Sequence, residues 1–310
     1  MAEASPDRIV VAELNRCRRT LPNTEGGGGS VRVAALLSSL SLGGALYWCG
    51  DELWLRVSGL ALLTASETLL LIATHEACHG TLLRGSRREK LLAAAISWPM
   101  AWPFFSYRLL HQLHHRWNGN DARDPERVNP LKATVRESSH PLWRAAGVEG
   151  GLGLILKTYR SALQLRVVRP QLNRTLLMDG AGVITIQAVI IGLCIRHGVL
   201  LQYLVSWLVV ERISGGLLQV RGLVEHWGLA QQRGNPILDQ LYSSRTIKVG
   251  ALLNSLLGGL PYHSAHHAYP SVPSGQLPLL TERIEATLDE HHYPPLPCSS
   301  CYWSAIADLT

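Results

Sequence analysis

Charge is scarce in this chain. Only 17% of its 310 residues are charged while 47% are hydrophobic, and the mean hydropathy is slightly positive. A soluble enzyme carries more charge, so membrane-embedded segments are expected. Paired cysteines are lacking too. The six at positions 17, 49, 78, 194, 298 and 301 follow no disulfide-scaffold spacing, which excludes a small secreted disulfide fold. A reduced, cytoplasm-facing setting is expected instead. Met1 to Arg32 holds no early apolar run ending in a small-residue cleavage site, so no signal peptide is expected. The net charge of +6 suits either nucleic acid or an anionic membrane face. Its distribution, below, selects the membrane and predicts no nucleic-acid partner.

What the chain has is histidine. Eight of its 13 histidines fall in three short boxes: His75-Glu76-Ala77-Cys78-His79, His111-Gln112-Leu113-His114-His115 and His263-Ser264-Ala265-His266-His267. On a helix, positions i, i+3 and i+4 share a face, so each box points its rings one way. Imidazole is the commonest metal ligand. Eight neutral nitrogen donors exceed the roughly four to six that one ion takes, which predicts a two-metal site.

Residues 1–30 are polar and end in Gly26 to Gly29, a flexible N-terminal segment in which Ser5-Pro6-Asp7 can start a short helix. Val33 to Cys49 is the first expected membrane helix, followed by a tight turn at Asp51-Glu52. Leu53 to Thr74 is the second, and it contains Arg56 and Glu67. Glu67 lies on the histidine face, two turns from His75, as either a functional acid or a helix-to-helix polar contact. Leu91 to Phe105 contains Pro99 and Pro103, falls short of a full span, and suits a re-entrant or interfacial segment. Gly180 to Ile195 is the third span, Arg196-His197-Gly198 a minimal turn, and Val199 to Leu218 the fourth, with Glu211-Arg212 inside it. Ala251 to Leu260 is too short to cross.

The sequence therefore predicts an all-α membrane protein of four transmembrane helices with a cytoplasmic helical cap carrying the histidine boxes. Its parts are the N-terminal segment, a membrane-embedded domain over 31–285, and a Pro/Cys-containing tail over 286–310. Of the 29 lysines and arginines, 16 lie between Gly80 and Met178, five in residues 1–32 and five from Val220 onward. The two proposed outer turns hold one, Arg196. The positive-inside rule then places both termini and all three boxes on the cytoplasmic side.

His75-Glu76-Ala77-Cys78-His79 also fits H-E-x-x-H, the zinc metalloprotease signature. Met178-Asp179-Gly180 resembles the aspartate ligand motif of site-2-type intramembrane proteases, which would complete a zinc site. A protease has no use for two further H-x-x-H-H boxes. A non-catalytic metal-binding or metal-transporting membrane protein is the other rival class.

Together the three boxes, with Gly80 after the first and Tyr269-Pro270 after the third, resemble the membrane fatty acid desaturase and hydroxylase superfamily over about Leu53 to Pro278. The resemblance implies a non-haem di-iron centre, molecular oxygen as co-substrate and an external electron supply. It also implies a ninth histidine after the fourth span, where Glu225-His226-Trp227-Gly228 stands, so His226 joins the expected ligands. Animal acyl-CoA desaturases carry an asparagine four residues before that histidine. Gly222 is there instead, with Asn254 or Gln219 as substitutes.

Ligating imidazoles need a partner for their second nitrogen. Glu76, Asp121, Asp124 and Glu225 are the candidates. His140-Pro141-Leu142-Trp143 is not the His-Pro-Gly-Gly of a fused cytochrome b5 domain, so a separate ferredoxin or cytochrome b5-like donor with its reductase is expected. His291-His292 with Cys298 and Cys301 reads as an incidental tail ahead of a zinc clip. The expected activity is oxygen-dependent desaturation of a fatty acyl chain linked to lipid, coenzyme A or a carrier. Hydroxylation or ketolation of a lipid or carotenoid is the runner-up. A substrate tunnel is expected along Trp98 to Phe105.

Overall fold

The computed structural model describes residues 6–22, 28–83, 87–120, 122–126, 151–230 and 234–309. In chain order its elements are α1 (Pro6–Arg19), α2 (Gly28–Cys49), α3 (Leu53–His79), α4 (Arg87–Ser97), a 3-10 turn (Trp98–Met100), α5 (Phe104–Trp117), α6 (Leu152–Leu165), α7 (Gln171–Arg196), α8 (Leu200–His226), α9 (Pro236–Tyr242), β1 (Thr246–Ile247), α10 (Ala251–Leu256), α11 (His263–Ala268), α12 (Leu277–Glu290), β2 (Cys298–Ser299) and α13 (Tyr302–Ala307). Apart from the two-residue parallel ladder of β1 with β2, the described residues are all-α.

Three helices, α2, α3 and α7, are long and apolar enough to cross a membrane. The helix expected as a fourth span, α8, has 27 residues but is not among them, because Glu211, Arg212, Arg221 and Glu225 interrupt its apolar run. The expected turns are present: α2 stops at Cys49 and α3 starts at Leu53, and Gly198, at φ 71°, separates α7 from α8. At 11 residues, α4 is too short to span, in keeping with the reading of Leu91 to Phe105.

The chain forms two compact units. The long-helix unit comprises Gly27–Gln112 and Ser139–Arg221. Its α2 and α3 meet at glycines: a Cβ on Gly59 would sit 2.5 Å from Tyr47 N and 2.7 Å from Gly43 O. Backbones approach that closely only where side chains are absent. Polar groups on these helices pair with one another, as in Ser66 Oγ to Ser39 Oγ at 2.8 Å and Thr68 Oγ1 to Ser214 Oγ at 2.9 Å. On α7, Leu177, Ile184 and Ile195 are each more than 60% exposed, as lipid contact requires.

The segment between α4 and α5 is strapped to α7 and α8. Gln187 Nε2 and Trp207 Nε1 both donate to Pro99 O, at 2.7 and 2.9 Å. Trp98 lies over Gly182, where any Cβ would come within 2.4 Å of the indole. Phe104 is fully buried in a core with Leu70, Ala73 and Ala77. Met100 and Trp102 face a cavity of about 20 Å³ together with Leu71, Ile155, Glu211 and Leu218. That is room for roughly one water; the contacts of Trp98, Pro99 and Phe105 anchor the start of α5.

The short-helix unit comprises Met1–Gly26, Leu113–Ser138 and Gly222–Thr310. Its core joins Val10 and Leu14 of α1 to Leu238, Leu241, Leu280 and Ile284. The helix expected after Ser5 thus runs 14 residues with a buried apolar face. Asn235 caps α9, accepting from Ile237 N and Leu238 N at 3.0 and 3.4 Å. In the tail, Cys298 sits in β2 and Cys301 caps α13, both as free thiols. His291 Nε2 pairs with Glu13 Oε2 at 2.8 Å, and no zinc clip is assembled among the described residues.

Candidate metal centre

In the long-helix unit, α3 delivers His75 and His79 in its last turn, where Gly80, at φ 75°, ends the helix. His111 comes from α5. Ring centroids lie 5.2 Å apart for His75 and His79, 4.4 Å for His75 and His111, and 5.1 Å for His79 and His111. Tyr107 stacks on His111 at 5.3 Å. Glu76, a predicted partner of these rings, pairs its Oε1 with Arg32 Nη2.

Asp179 fixes the start of the histidine helix. Its Oδ1 accepts from Trp98 Nε1 at 3.2 Å and Phe105 N at 3.1 Å, and its Oδ2 accepts from Ser106 N at 2.8 Å. Those two backbone groups belong to the first turn of α5, whose N–H groups have no partner within the helix and favour negative charge. The carboxylate is fully buried and so engaged that it is not a third zinc ligand, which removes the metalloprotease reading of His75 and His79.

The short-helix unit holds the other six predicted ligands: His114 and His115 on α5, His226 at the end of α8, and His263, His266 and His267 on α11. All six are buried. The possible ligand atoms of His114, His226 and His267 lie within 4.8 Å of one another, as do those of Glu225, His226 and His263. His263 Nε2 is 2.9 Å from His226 Nε2 and 3.1 Å from His267 Nε2. His115 stacks on His267 with centroids 4.1 Å apart and lies 4.9 Å from His266.

Hydrogen bonding orients these rings. His114 Nδ1 meets Asp124 at 2.8 and 3.0 Å, His267 Nδ1 meets Gln240 Oε1 at 3.0 Å, and His226 Nδ1 meets the Ser243 carbonyl at 3.4 Å. Each partner is an acceptor, so it holds the ring proton on Nδ1 and leaves the lone pair on Nε2. Burial, and then the neighbouring histidines, push the proton affinity of His115 and His267 well below the ordinary imidazole value. Neutral, desolvated nitrogens facing one another at about 3 Å are a donor set that a bound transition metal fits.

Asp124 thus sits where a partner of a predicted ligand was expected. Glu225 is fully buried with Oε2 3.3 Å from His263 Nε2, close enough to be a ligand itself. Asp121 and His140 lie outside the described residues. Asn254 stands on α10 with its side-chain oxygen buried. Sequence reading missed Asn118, which donates to Ser243 O at 3.1 Å and Ser244 Oγ at 2.8 Å, and it missed Gln240. It also missed Glu126, whose carboxylate comes within 4.8 Å of a His114 ring nitrogen. Asn118 follows His114 by one helical turn, a spacing that could have drawn attention to it. Gln240 and Glu126 carry no comparable local signal.

The sequence profile of the family described as "Fatty acid desaturase" matches residues 52–297, a range that contains all nine histidines. Two curated relatives also align. The sphingolipid delta(4)-desaturase of Komagataella phaffii is 24% identical over 255 residues, which cover 79% of this chain and 64% of that protein. The Delta(8)-fatty-acid desaturase of Euglena gracilis is 26% identical over 108 residues, which cover 32% of this chain and 26% of that protein. The chain therefore spans somewhat less than two thirds of the first relative's length and about a quarter of the second's.

Proposed function

This chain belongs to the fatty acid desaturase family, and we propose from that premise that it is a membrane oxidoreductase that desaturates a fatty acyl chain at the expense of molecular oxygen. The nine histidines named above hold two iron ions. His75, His79 and His111 belong to the long-helix unit, His114, His115, His226, His263, His266 and His267 to the short-helix unit, and α5 carries members of each. Four helices cross the membrane, α8 being the fourth, with both termini and the histidines on the cytoplasmic side.

The observation that carries the reading is the wiring of His114, His226 and His267. Three separate acceptors hold their Nδ1 protons while their ligand atoms gather within 4.8 Å. Bound iron is redox-active and supplies the oxygen activation that zinc cannot. The protein's part is to keep the imidazoles neutral, fix their tautomers and bury the site from water. Oxygen takes four electrons: two leave the substrate with its two hydrogens, and two come from a separate ferredoxin or cytochrome b5-like donor, giving an alkene and two waters. Both relatives are named for desaturation, one of a sphingolipid and one of a fatty acid, which favours an alkene product over an alcohol.

Metal analysis of the purified chain tests this. Two irons per chain with oxygen-dependent alkene formation is the expected result. A single zinc, or exchangeable metal without oxygen consumption, would overturn it. His79→Ala and His266→Ala should each lose iron and product, and retained activity in either contradicts the assignment. Lipid profiling of a host with and without the intact gene then names the substrate.

A further inference from the structure

From Leu152 to Met178 the chain has no acidic residue and five basic ones: Lys157, Arg160, Arg166, Arg169 and Arg174. The stretch makes up α6, the turn after it and the first turns of α7. All four arginines are exposed, and none has an ion-pair partner among the described residues. The positive end of the α7 dipole falls among them and adds to their field.

The same strip is apolar where water would disfavour it. On α6, Ile155, Thr158 and Ala162 are buried, the last in a cluster with Leu110 and Leu172. Leu152, Leu156 and Leu163 share a different face and are 44, 66 and 47% exposed. Val167 and Val168, between Arg166 and Arg169, are 82 and 70% exposed. An uncovered leucine stripe edged by cations, running into a membrane-crossing helix, is the build of a helix lying in the lipid interface.

We propose that α6 and the Arg166–Arg169 turn form a docking surface for anionic lipid headgroups, with Leu156, Leu163, Val167 and Val168 entering the hydrocarbon edge and the four arginines engaging phosphate and carboxylate. A soluble acidic protein would satisfy the arginines but leave two nearly bare valines in water. A leaflet satisfies both at the depth where α7 enters it. The inference uses the membrane placement of α7 and is independent of the reaction proposed above.

The full chain, purified in detergent and given equal phosphatidylcholine and phosphatidylserine, is captured and its bound lipids are quantified. The wild type should enrich phosphatidylserine, less so as salt rises. Replacing Arg160, Arg166, Arg169 and Arg174 together by glutamine should lower the serine-to-choline ratio by roughly tenfold. Lysine at the same positions should restore it, and thermal unfolding in phosphatidylcholine should be the same for all three proteins. A wild type that mirrors the supplied mixture, or a glutamine variant with an unchanged ratio, overturns the proposal. So does a glutamine variant that loses only the binding of an acidic electron-donor protein. Capture of neither lipid would also count against the membrane placement, whereas loss of iron or of product would not bear on it.

Discussion

His75 and His79 close a helix of 27 residues, whereas His263, His266 and His267 ride on a helix of six. The ring spacing is similar and the support is not. In the long-helix unit, position comes from packing: glycine contacts between α2 and α3, the apolar core around Phe104, and Asp179 at the head of α5. A six-residue helix has no such stability of its own. It is wired instead, through Ser264 Oγ to Ser244 O at 2.8 Å, His267 to Gln240, and Asn118 to the Ser243–Ser244 corner. Faults in the first unit should therefore unseat helices, and faults in the second should loosen ligands while the helices stay.

The largest effect is expected at Asp179. Asp179→Ala strips acceptors from the buried Ser106 amide and from the half-buried Phe105 amide and Trp98 indole. A buried donor without a partner costs about 1–3 kcal/mol, so the variant should lose about 3 kcal/mol or more. Asp179→Asn should recover little, since both carboxylate oxygens are used and an amide offers one acceptor. Thermal unfolding in detergent checks this, and a wild-type midpoint for the alanine variant would show that packing alone seats α5.

A smaller and different effect is expected from Asp124→Asn. The helices should stay, but His114 loses the charged partner that holds its tautomer. Partners of this kind are worth about 10–100-fold in metal affinity. Iron titration of the variant, with circular dichroism alongside, separates the outcomes. Unchanged affinity would mean that the hydrogen-bond wiring does not govern the ligands, and the contrast between the two units would collapse.

How much of this was legible beforehand follows the same divide. The boxes, the turns at Asp51-Glu52 and Arg196-His197-Gly198, and the start of α1 at Pro6 were readable because spacing, apolar runs and turn residues are local signals. The three most apolar helices were readable for the same reason. The place of His226 was suggested only by the family resemblance. Asn118, Gln240 and Ser243 were not readable, since their partners lie as far as 126 residues away and no pattern links them. The capping role of Asp179 was not readable: it was weighed only within the rejected protease reading, and a carboxylate has the same letters whether it binds zinc or caps a helix. The strapping of Trp98 and Pro99 to α7 and α8 was not readable either, because aromatic residues pack a strap as readily as a tunnel.

Proton uptake gives the gentlest probe. Burial keeps His115 and His267 neutral in the folded chain, while in the unfolded chain they titrate near about 6.5. Above that pH neither state binds the extra protons and stability is unaffected. Below it the unfolded chain takes up protons that the folded chain refuses, so stability falls by about 1.4 kcal/mol per pH unit for each ring. The metal-free protein should therefore hold its unfolding midpoint from about pH 8 to 7 and lose it progressively as the pH drops below about 6.5. Bound metal should postpone the loss, because protons must then compete for the ligand nitrogens. The decline should be shallower in His267→Phe, which removes one of the two titrating rings. A metal-free midpoint that stays flat down to about pH 5 would mean that these rings accept protons in place. They would then be a solvated cluster, unlike the dry donor set on which the comparison of the two units depends.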